Sequence, residues 1–157
     1  MPPSVYIETS IVSYLVARPS RDLTMAERQR QTREWWENRR GEFELFTSNI
    51  TLREAALGEP AMALERTKAL HGTPVLPMRP EVAKIGETLL GAGPLPRSAE
   101  EDAYHISYAA VYNVSYLLTW NFKHIANPRM YSRIERVCRN HGLQPPTLCT
   151  PTELLGR

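Results

Sequence analysis

The sequence predicts an α/β protein, a three-layer α/β/α sandwich with a central, mostly parallel sheet. Short apolar runs alternate with amphipathic helical stretches along the whole chain, a pattern typical of strands connected by helical crossovers. The runs are continuously apolar, as expected for parallel strands that are buried on both faces. A chain of 157 residues suits one hydrophobic core, so residues 1–157 are expected to form a single domain.

Five short segments are predicted as strands. They consist mainly of aliphatic and aromatic residues and are bounded by polar, glycine or proline residues. The predicted strands cover residues 4–7, 43–47, 74–76, 116–119 and 147–149.

Helical patterns fill the segments between these strands. Pro60 is well placed at a helix start, and Gly142 followed by Pro145 marks a helix end. The predicted helices cover residues 10–16, 23–40, 50–57, 61–71, 80–90, 98–112 and 129–141.

Composition restricts the possible environments of the protein. An apolar fraction of 42% with 23% charged residues is ordinary for a globular protein, and a net charge of +2 does not by itself identify a nucleic-acid partner. We find no secretory signal and no apolar segment of the ~20 residues that a membrane helix needs. Cys138 and Cys149 lack the spacing of a metal site or a disulfide framework. We therefore expect a cytoplasmic protein without a membrane partner.

The segment SVYIETS places Glu8 directly after the first strand. In parallel sheets, the functional crevice lies beyond the carboxyl ends of the strands. The alternative is that Glu8 is an acid at the start of the next helix, capped by Thr9 or Ser10. The functional interpretation is preferred, because a buried strand rarely ends in an unpaired acid.

Glu54 lies on a predicted helix, on the same face as apolar Ile50 and Leu57. A carboxylate on a core-facing stripe needs a partner, and a metal ion would supply one. The equally supported alternative is a capping box formed by Thr51 and Glu54.

Asp102 opens the apolar helix in SAEEDAYHISYAAV and shares a face with His105. A capping box between Ser98 and Glu101 accounts for the neighbouring acids but not for an acid that points inward. Asp102 is therefore the preferred ligand of this segment, and His105 is expected to be a buried, hydrogen-bonded histidine.

Asn121 follows the fourth strand and could add a neutral oxygen beside these acids, although asparagine is also a common turn residue. Carboxylate and amide oxygens are the ligands that Mg²⁺ and Mn²⁺ prefer. Such a cation activates water and offsets charge on a phosphoryl oxygen, so a phosphodiester can be hydrolysed without a protein nucleophile. If the carboxylates converge without an ion, at least one pKa is expected to rise.

In this order, VYIETS, the helical Glu54, EEDAYHISYAA and YLLTWNFKHIANP resemble a PIN domain, specifically the VapC-like ribonuclease toxins of type II toxin–antitoxin systems. The resemblance runs from Val5 to the terminal TPTEL. It implies a Mg²⁺- or Mn²⁺-dependent ribonuclease with an RNA substrate, a homodimer and an antitoxin protein as partner.

The resemblance also implies roles for individual residues. Glu8, Glu54 and Asp102 match the family's metal-binding acids, Asn121 matches a fourth acid or amide, and Thr9 or Ser10 matches a hydroxyl beside the metal. Two positions depart from the pattern. The family usually has Asp where this chain has Glu8, and many relatives have an acid where this chain has His124.

Basic residues provide candidates for substrate contact. Arg18, Arg21 and Lys123 come from loops or helix ends near the predicted crevice and are the preferred candidates. The last amphipathic helix and the segment before it are also basic, which fits either RNA phosphate binding or a solvated helix face. The residues concerned are Lys123, Arg129, Arg133, Arg136 and Arg139.

Two other functions remain open. A weakened PIN-like site could recognise RNA or a protein without cleaving it, as the departures at Glu8 and His124 suggest. An unrelated doubly wound domain could bind a small nucleotide, but the chain has no G-x-G-x-x-G or P-loop sequence.

Overall fold

The computed structural model of the chain describes residues 1–91 and 93–156. Within these residues, five parallel strands form one sheet in the order β3-β2-β1-β4-β5, with helices on both faces. The predicted three-layer α/β/α sandwich is confirmed. The strands are β1 (Ser4–Ile7), β2 (Glu44–Ser48), β3 (Val75–Leu76), β4 (Tyr116–Leu118) and β5 (Thr147–Cys149).

Eight α-helices and two single turns of 3₁₀ helix, Arg40–Glu42 and Arg97–Ala99, connect or follow the strands within the described residues. The helices are α1 (Thr9–Val16), α2 (Leu23–Asn38), α3 (Asn49–Ala55), α4 (Pro60–Leu70), α5 (Pro80–Leu89), α6 (Glu100–Val111), α7 (Pro128–Asn140) and α8 (Pro151–Leu154).

The central strand β1 separates two hydrophobic clusters. Successive side chains of a strand point to opposite faces of the sheet. Val5 and Ile7 accordingly pack among residues of α1, α2 and α8, whereas Tyr6 packs among residues of α5, α6 and α7. All three side chains are fully buried. This two-sided burial explains why the strand reads as continuously apolar.

The predicted elements lie within one or two residues of the observed ones, except for α8, which was not predicted as a helix. A single turn is too short to show helical periodicity. Its start is stabilised locally, since the carboxylate of Glu153 accepts a hydrogen bond from the backbone of Thr150 at 3.1 Å.

Neither of the two capping boxes considered from the sequence forms. Ser48 caps α3, and Thr51 lies inside that helix, where its hydroxyl donates to the carbonyl oxygen of Ile7 at 3.2 Å. Helix α6 begins at Glu100 without a side-chain cap, so Ser98 does not cap it. Glu54 and the acids of α6 are therefore available for other contacts.

Tryptophans of α2 contribute to the core. Trp35 is fully buried and Trp36 is only 9% exposed. Both rings belong to the hydrophobic cluster that contains Val5 and Ile7. In the part of the chain that the structure describes, no helix has the length and apolar character needed to cross a membrane.

Candidate metal centre at the carboxyl edge of the sheet

The strand order places a crevice between the carboxyl ends of β1 and β4. Chain connections run from β1 toward β2 on one side and return to β4 on the other, which is the topological switch point where open parallel sheets bind ligands. Glu8 follows β1 at this edge, and Thr119 follows β4.

Glu8 is 5% exposed and held by three donors. Its Oε1 accepts hydrogen bonds from the hydroxyls of Ser10, at 2.5 Å, and Thr119, and its Oε2 accepts from the backbone N–H of Ser10 at 3.1 Å. Glu8 is therefore the N-cap of α1. The structure bears out the helix-start alternative, with Glu8 itself rather than Thr9 or Ser10 as the cap, and the role of Glu8 as a metal ligand stays a prediction.

Glu54 reaches the same edge from α3. Its Oε1 accepts a hydrogen bond from the Thr9 hydroxyl at 2.6 Å and lies 2.7 Å from Nε2 of His105. The predicted supporting residues Thr9 and Ser10 thus contact one acid each, Glu54 and Glu8 respectively.

His105 of α6 is fully buried and bonded at both ring nitrogens. Its Nδ1 lies 2.7 Å from the hydroxyl of Tyr6, which in turn lies 2.6 Å from Oγ of Ser48. With Nε2 paired to Glu54, this chain of contacts links the centre of β1 to α3 and α6. The ring is thereby fixed in position.

Glu8, Glu54 and His105 together can hold a metal ion. One ligand atom from each of the three lies within 4.8 Å of the other two. The set combines two carboxylate oxygens with one imidazole nitrogen, all of which are ligand types for divalent metal ions.

Charges within the cluster shift the pKa values of its members. Burial lowers the pKa of His105, but Tyr6 and the carboxylates of Glu54 and Glu8 outweigh it and raise this pKa to about 10. Burial raises the pKa of Glu54, but hydrogen bonds from His105 and Glu101 outweigh it and the net pKa falls well below the usual range. The pairing with Glu54 therefore favours the protonated form of His105.

The sequence predicted a raised pKa among the converging acids, but the pKa of Glu54 is lowered and the raised pKa belongs to Glu101, which was not one of them. A hydrogen bond to Glu54, together with partial burial and the charge of Glu54, raises the pKa of Glu101 to about 7. The raised pKa favours the protonated carboxyl, which can donate a hydrogen bond to the neighbouring carboxylate. The sequence assigned Glu101 to a capping box, whereas the structure places it beside Glu54.

Asp102 lies outside the group formed by Glu8, Glu54 and His105. Its Oδ2 is 2.8 Å from Nδ1 of His124, and both side chains are mostly buried. His124 thus pairs with Asp102, the acid that the sequence favoured as a metal ligand.

Asn121 shapes the loop after β4. Its Oδ1 accepts hydrogen bonds from the backbone N–H groups of Lys123, at 3.1 Å, and His124, at 3.0 Å. This Asx turn fixes the backbone at His124, whose ring meets Asp102. The amide oxygen of Asn121 is engaged within its own loop.

Of the predicted substrate contacts, Arg18 and Arg21 lie in the loop between α1 and α2, and Lys123 lies in the turn that Asn121 holds. All three side chains are exposed. The backbone carbonyl oxygen of Arg18 accepts a hydrogen bond from Nε2 of Gln29 at 2.9 Å, which fixes the loop and leaves the guanidinium of Arg18 at the surface.

The sequence did not identify His105 as a ligand, or Glu101 as a partner of Glu54. The signal for both is their i, i+4 spacing on α6, which puts them on one face of the helix. His105 was expected to be buried and hydrogen-bonded, as it is, but its acidic partner is Glu54 of another helix.

Searches of known protein families and of curated proteins found no family model and no curated protein that matches this chain. The fold and the site therefore define the protein as a parallel α/β/α sandwich with an acid–histidine cluster at the switch point of its sheet.

Proposed function

We propose that this protein is a divalent-metal-dependent endoribonuclease that hydrolyses RNA phosphodiester bonds, of the PIN-domain type. The observation that carries the proposal is the convergence of Glu8, Glu54 and His105 at the strand-end crevice. The resemblance in sequence extends the proposal to a VapC-like toxin that forms a homodimer and pairs with an antitoxin protein.

The residues present fit a divalent cation. Glu8 and Glu54 offer carboxylate oxygens, and neutral His105 offers Nε2 when its Nδ1–H donates to the hydroxyl of Tyr6. A bound cation would supply Lewis acidity, which activates water and offsets negative charge on a phosphoryl oxygen. We propose Mn²⁺ or Mg²⁺, with Mn²⁺ favoured by the imidazole nitrogen.

The chain's own residues hold this arrangement in place before any ligand arrives. Ser10 and Thr119 orient the carboxylate of Glu8, and Thr9 orients that of Glu54. Such preorganisation avoids the cost of arranging ligands during the reaction. Asp102, whose role stays a prediction, lies beside His124 at the start of α6 and is the alternative third ligand.

One observation favours a second function, a PIN-like module that binds RNA or a protein without cleaving it. The pair between His105 and Glu54 already balances one carboxylate, so the cluster is satisfied without an ion. An imidazolium ion in this position competes with a metal for Glu54.

Cleavage of a mixed RNA pool by purified protein tests the proposal, with Mn²⁺, with Mg²⁺ and with chelator. The variants are Glu8→Gln, His105→Asn and Asp102→Asn, and Glu44→Gln of the exposed end of β2 is the matched control. We expect metal-dependent cleavage by the wild type and by Glu44→Gln, and none by Glu8→Gln.

Metal binding measured by calorimetry on the same variants identifies the third ligand. Loss of binding in His105→Asn but not in Asp102→Asn supports the cluster described above, and the reverse result supports Asp102. Cleavage that is equal in wild type and Glu8→Gln would be contamination and would overturn the nuclease proposal. RNA binding without ion binding or cleavage would support the binding module instead.

A further inference from the structure

The turn that follows Thr119, a hydrogen-bond donor to Glu8, presents an aromatic ring. Phe122 is 46% exposed, although a large apolar side chain is normally buried. The turn that carries it is held by Asn121, which bonds the two residues after Phe122. The ring is therefore displayed on a fixed backbone.

Arg28 of α2 lies over this ring. Its guanidinium carbon is 4.8 Å from the ring centre of Phe122 and 5.7 Å from that of Trp120, and its Nη1 donates to the hydroxyl of Tyr14 at 3.3 Å. The rings of Trp120 and Phe122 are 6.1 Å apart at 58°. Guanidinium planes and aromatic rings are the groups on which proteins stack unpaired nucleobases. We call the pair of Phe122 and Arg28 the platform.

Two hydrogen bonds connect Trp120, which precedes Phe122 by two residues, to Glu8. The backbone N–H of Trp120 donates to Oγ of Ser10 at 2.7 Å, and the same hydroxyl donates to Glu8. The indole Nε1 of Trp120 donates to Thr32 at 2.7 Å, which locks the ring against α2. Trp120, two residues before Phe122, is thus linked to Glu8 through one serine.

We propose that Phe122 and Arg28 form a stacking site for one unpaired base of single-stranded RNA, next to the phosphodiester at the metal centre. The inference rests on the proposed function for the identity of the polymer. Exposed Lys123, adjacent to Phe122, provides a positive charge for the neighbouring phosphate. A double helix keeps its bases stacked internally, so the site selects unpaired segments.

Other exposed apolar side chains lack these features. Leu57 and Leu64, on the α3–α4 side, are 66% and 54% exposed but present no ring and no stacked guanidinium. Leu64→Ala is therefore a matched control for the loss of exposed apolar surface away from the platform.

Binding of a fluorescently labelled single-stranded RNA of roughly 10 nucleotides, measured by anisotropy with chelator present, tests the inference without cleavage. We expect Phe122→Leu to weaken binding about 10-fold, because leucine keeps the apolar volume but has no π-face. Phe122→Trp is expected to bind like the wild type, as is Leu64→Ala. Thermal melting verifies that each variant is folded.

Three results would overturn the inference: no binding by the wild type, wild-type affinity in Phe122→Leu, or equal losses in Phe122→Leu and Phe122→Trp. The binding assay also separates this inference from the nuclease proposal. Phe122-dependent binding without cleavage under any metal supports the stacking site and defeats the nuclease. Metal-dependent cleavage with an unchanged KM in Phe122→Leu supports the nuclease and defeats the stacking site.

Discussion

Nε2 of His105 lies 2.7 Å from Oε1 of Glu54. In its neutral form the imidazole can use this nitrogen as a metal ligand, and in its protonated form the ring balances the charge of Glu54. The two roles exclude each other, because a ligating imidazole must be neutral at the bound nitrogen. Metal binding at this centre is therefore coupled to the loss of a proton.

We expect the affinity for Mn²⁺ to rise with pH, by roughly tenfold per unit below the raised pKa of His105. Calorimetry in buffers with different ionisation enthalpies should show about one proton released per ion. An affinity that is independent of pH would mean that the imidazole is not a ligand, as expected if Asp102 takes its place.

The stability of the metal-free protein should fall as the pH rises from neutral. The pKa of His105 is raised from 6.5 to about 10, so its contribution is complete below about 6.5 and is lost as the pH rises through 10. The pKa of Glu101 is raised from 4.5 to about 7, so this group also lowers the free energy of unfolding as the pH rises through that range. Urea unfolding with chelator at several pH values measures this slope.

His105→Gln is the matched variant for this prediction. It removes the titrating ring, so its stability should depend less on pH between 7 and 10 than that of the wild type, although its stability at pH 7 is lower. Parallel curves for the two proteins would contradict the assignment of the pH dependence to His105.

Glu8→Gln should abolish metal-dependent activity and lower the free energy of unfolding. The amide keeps an oxygen for the hydroxyls of Ser10 and Thr119, but it carries no negative charge for a cation and its NH₂ group faces the backbone N–H of Ser10. Loss of a residue that only supports a metal ligand lowers activity by roughly 100-fold. We expect a larger fall in rate for Glu8→Gln, because it removes a ligand. Equal rates in Glu8→Gln and wild type would mean that the activity is contamination and would contradict the nuclease proposal.

Tyr6→Phe should lower the free energy of unfolding by about 1–3 kcal/mol. The variant removes a buried hydroxyl that lies 2.6 Å from Ser48 and 2.7 Å from His105, and it leaves both partners without that contact. Chemical denaturation measures the change. Tyr131→Phe, which loses one 3.2 Å bond to the carbonyl of Leu148, is the control and should cost less.

The fold followed closely from the sequence because each signal for it is local. Val5, Tyr6 and Ile7 are all fully buried, and a strand buried on both faces is continuously apolar whatever its neighbours are. Helix ends were less accurate, since Ser48 rather than a residue of the predicted helix caps α3, and α8 is too short for periodicity to reveal.

The sequence by itself determined that an acid follows β1 and that acids open α6 in a parallel sheet, and therefore where a site would lie. Only the tertiary structure decided which side chains pair with these acids. His105 meets Glu54 across 51 residues, and Asp102 meets His124 across 22. Such pairings depend on how α3 and α6 pack against β1, which local patterns do not encode. The sheet fixes the edge of the site, and helix packing selects the side chains that meet there.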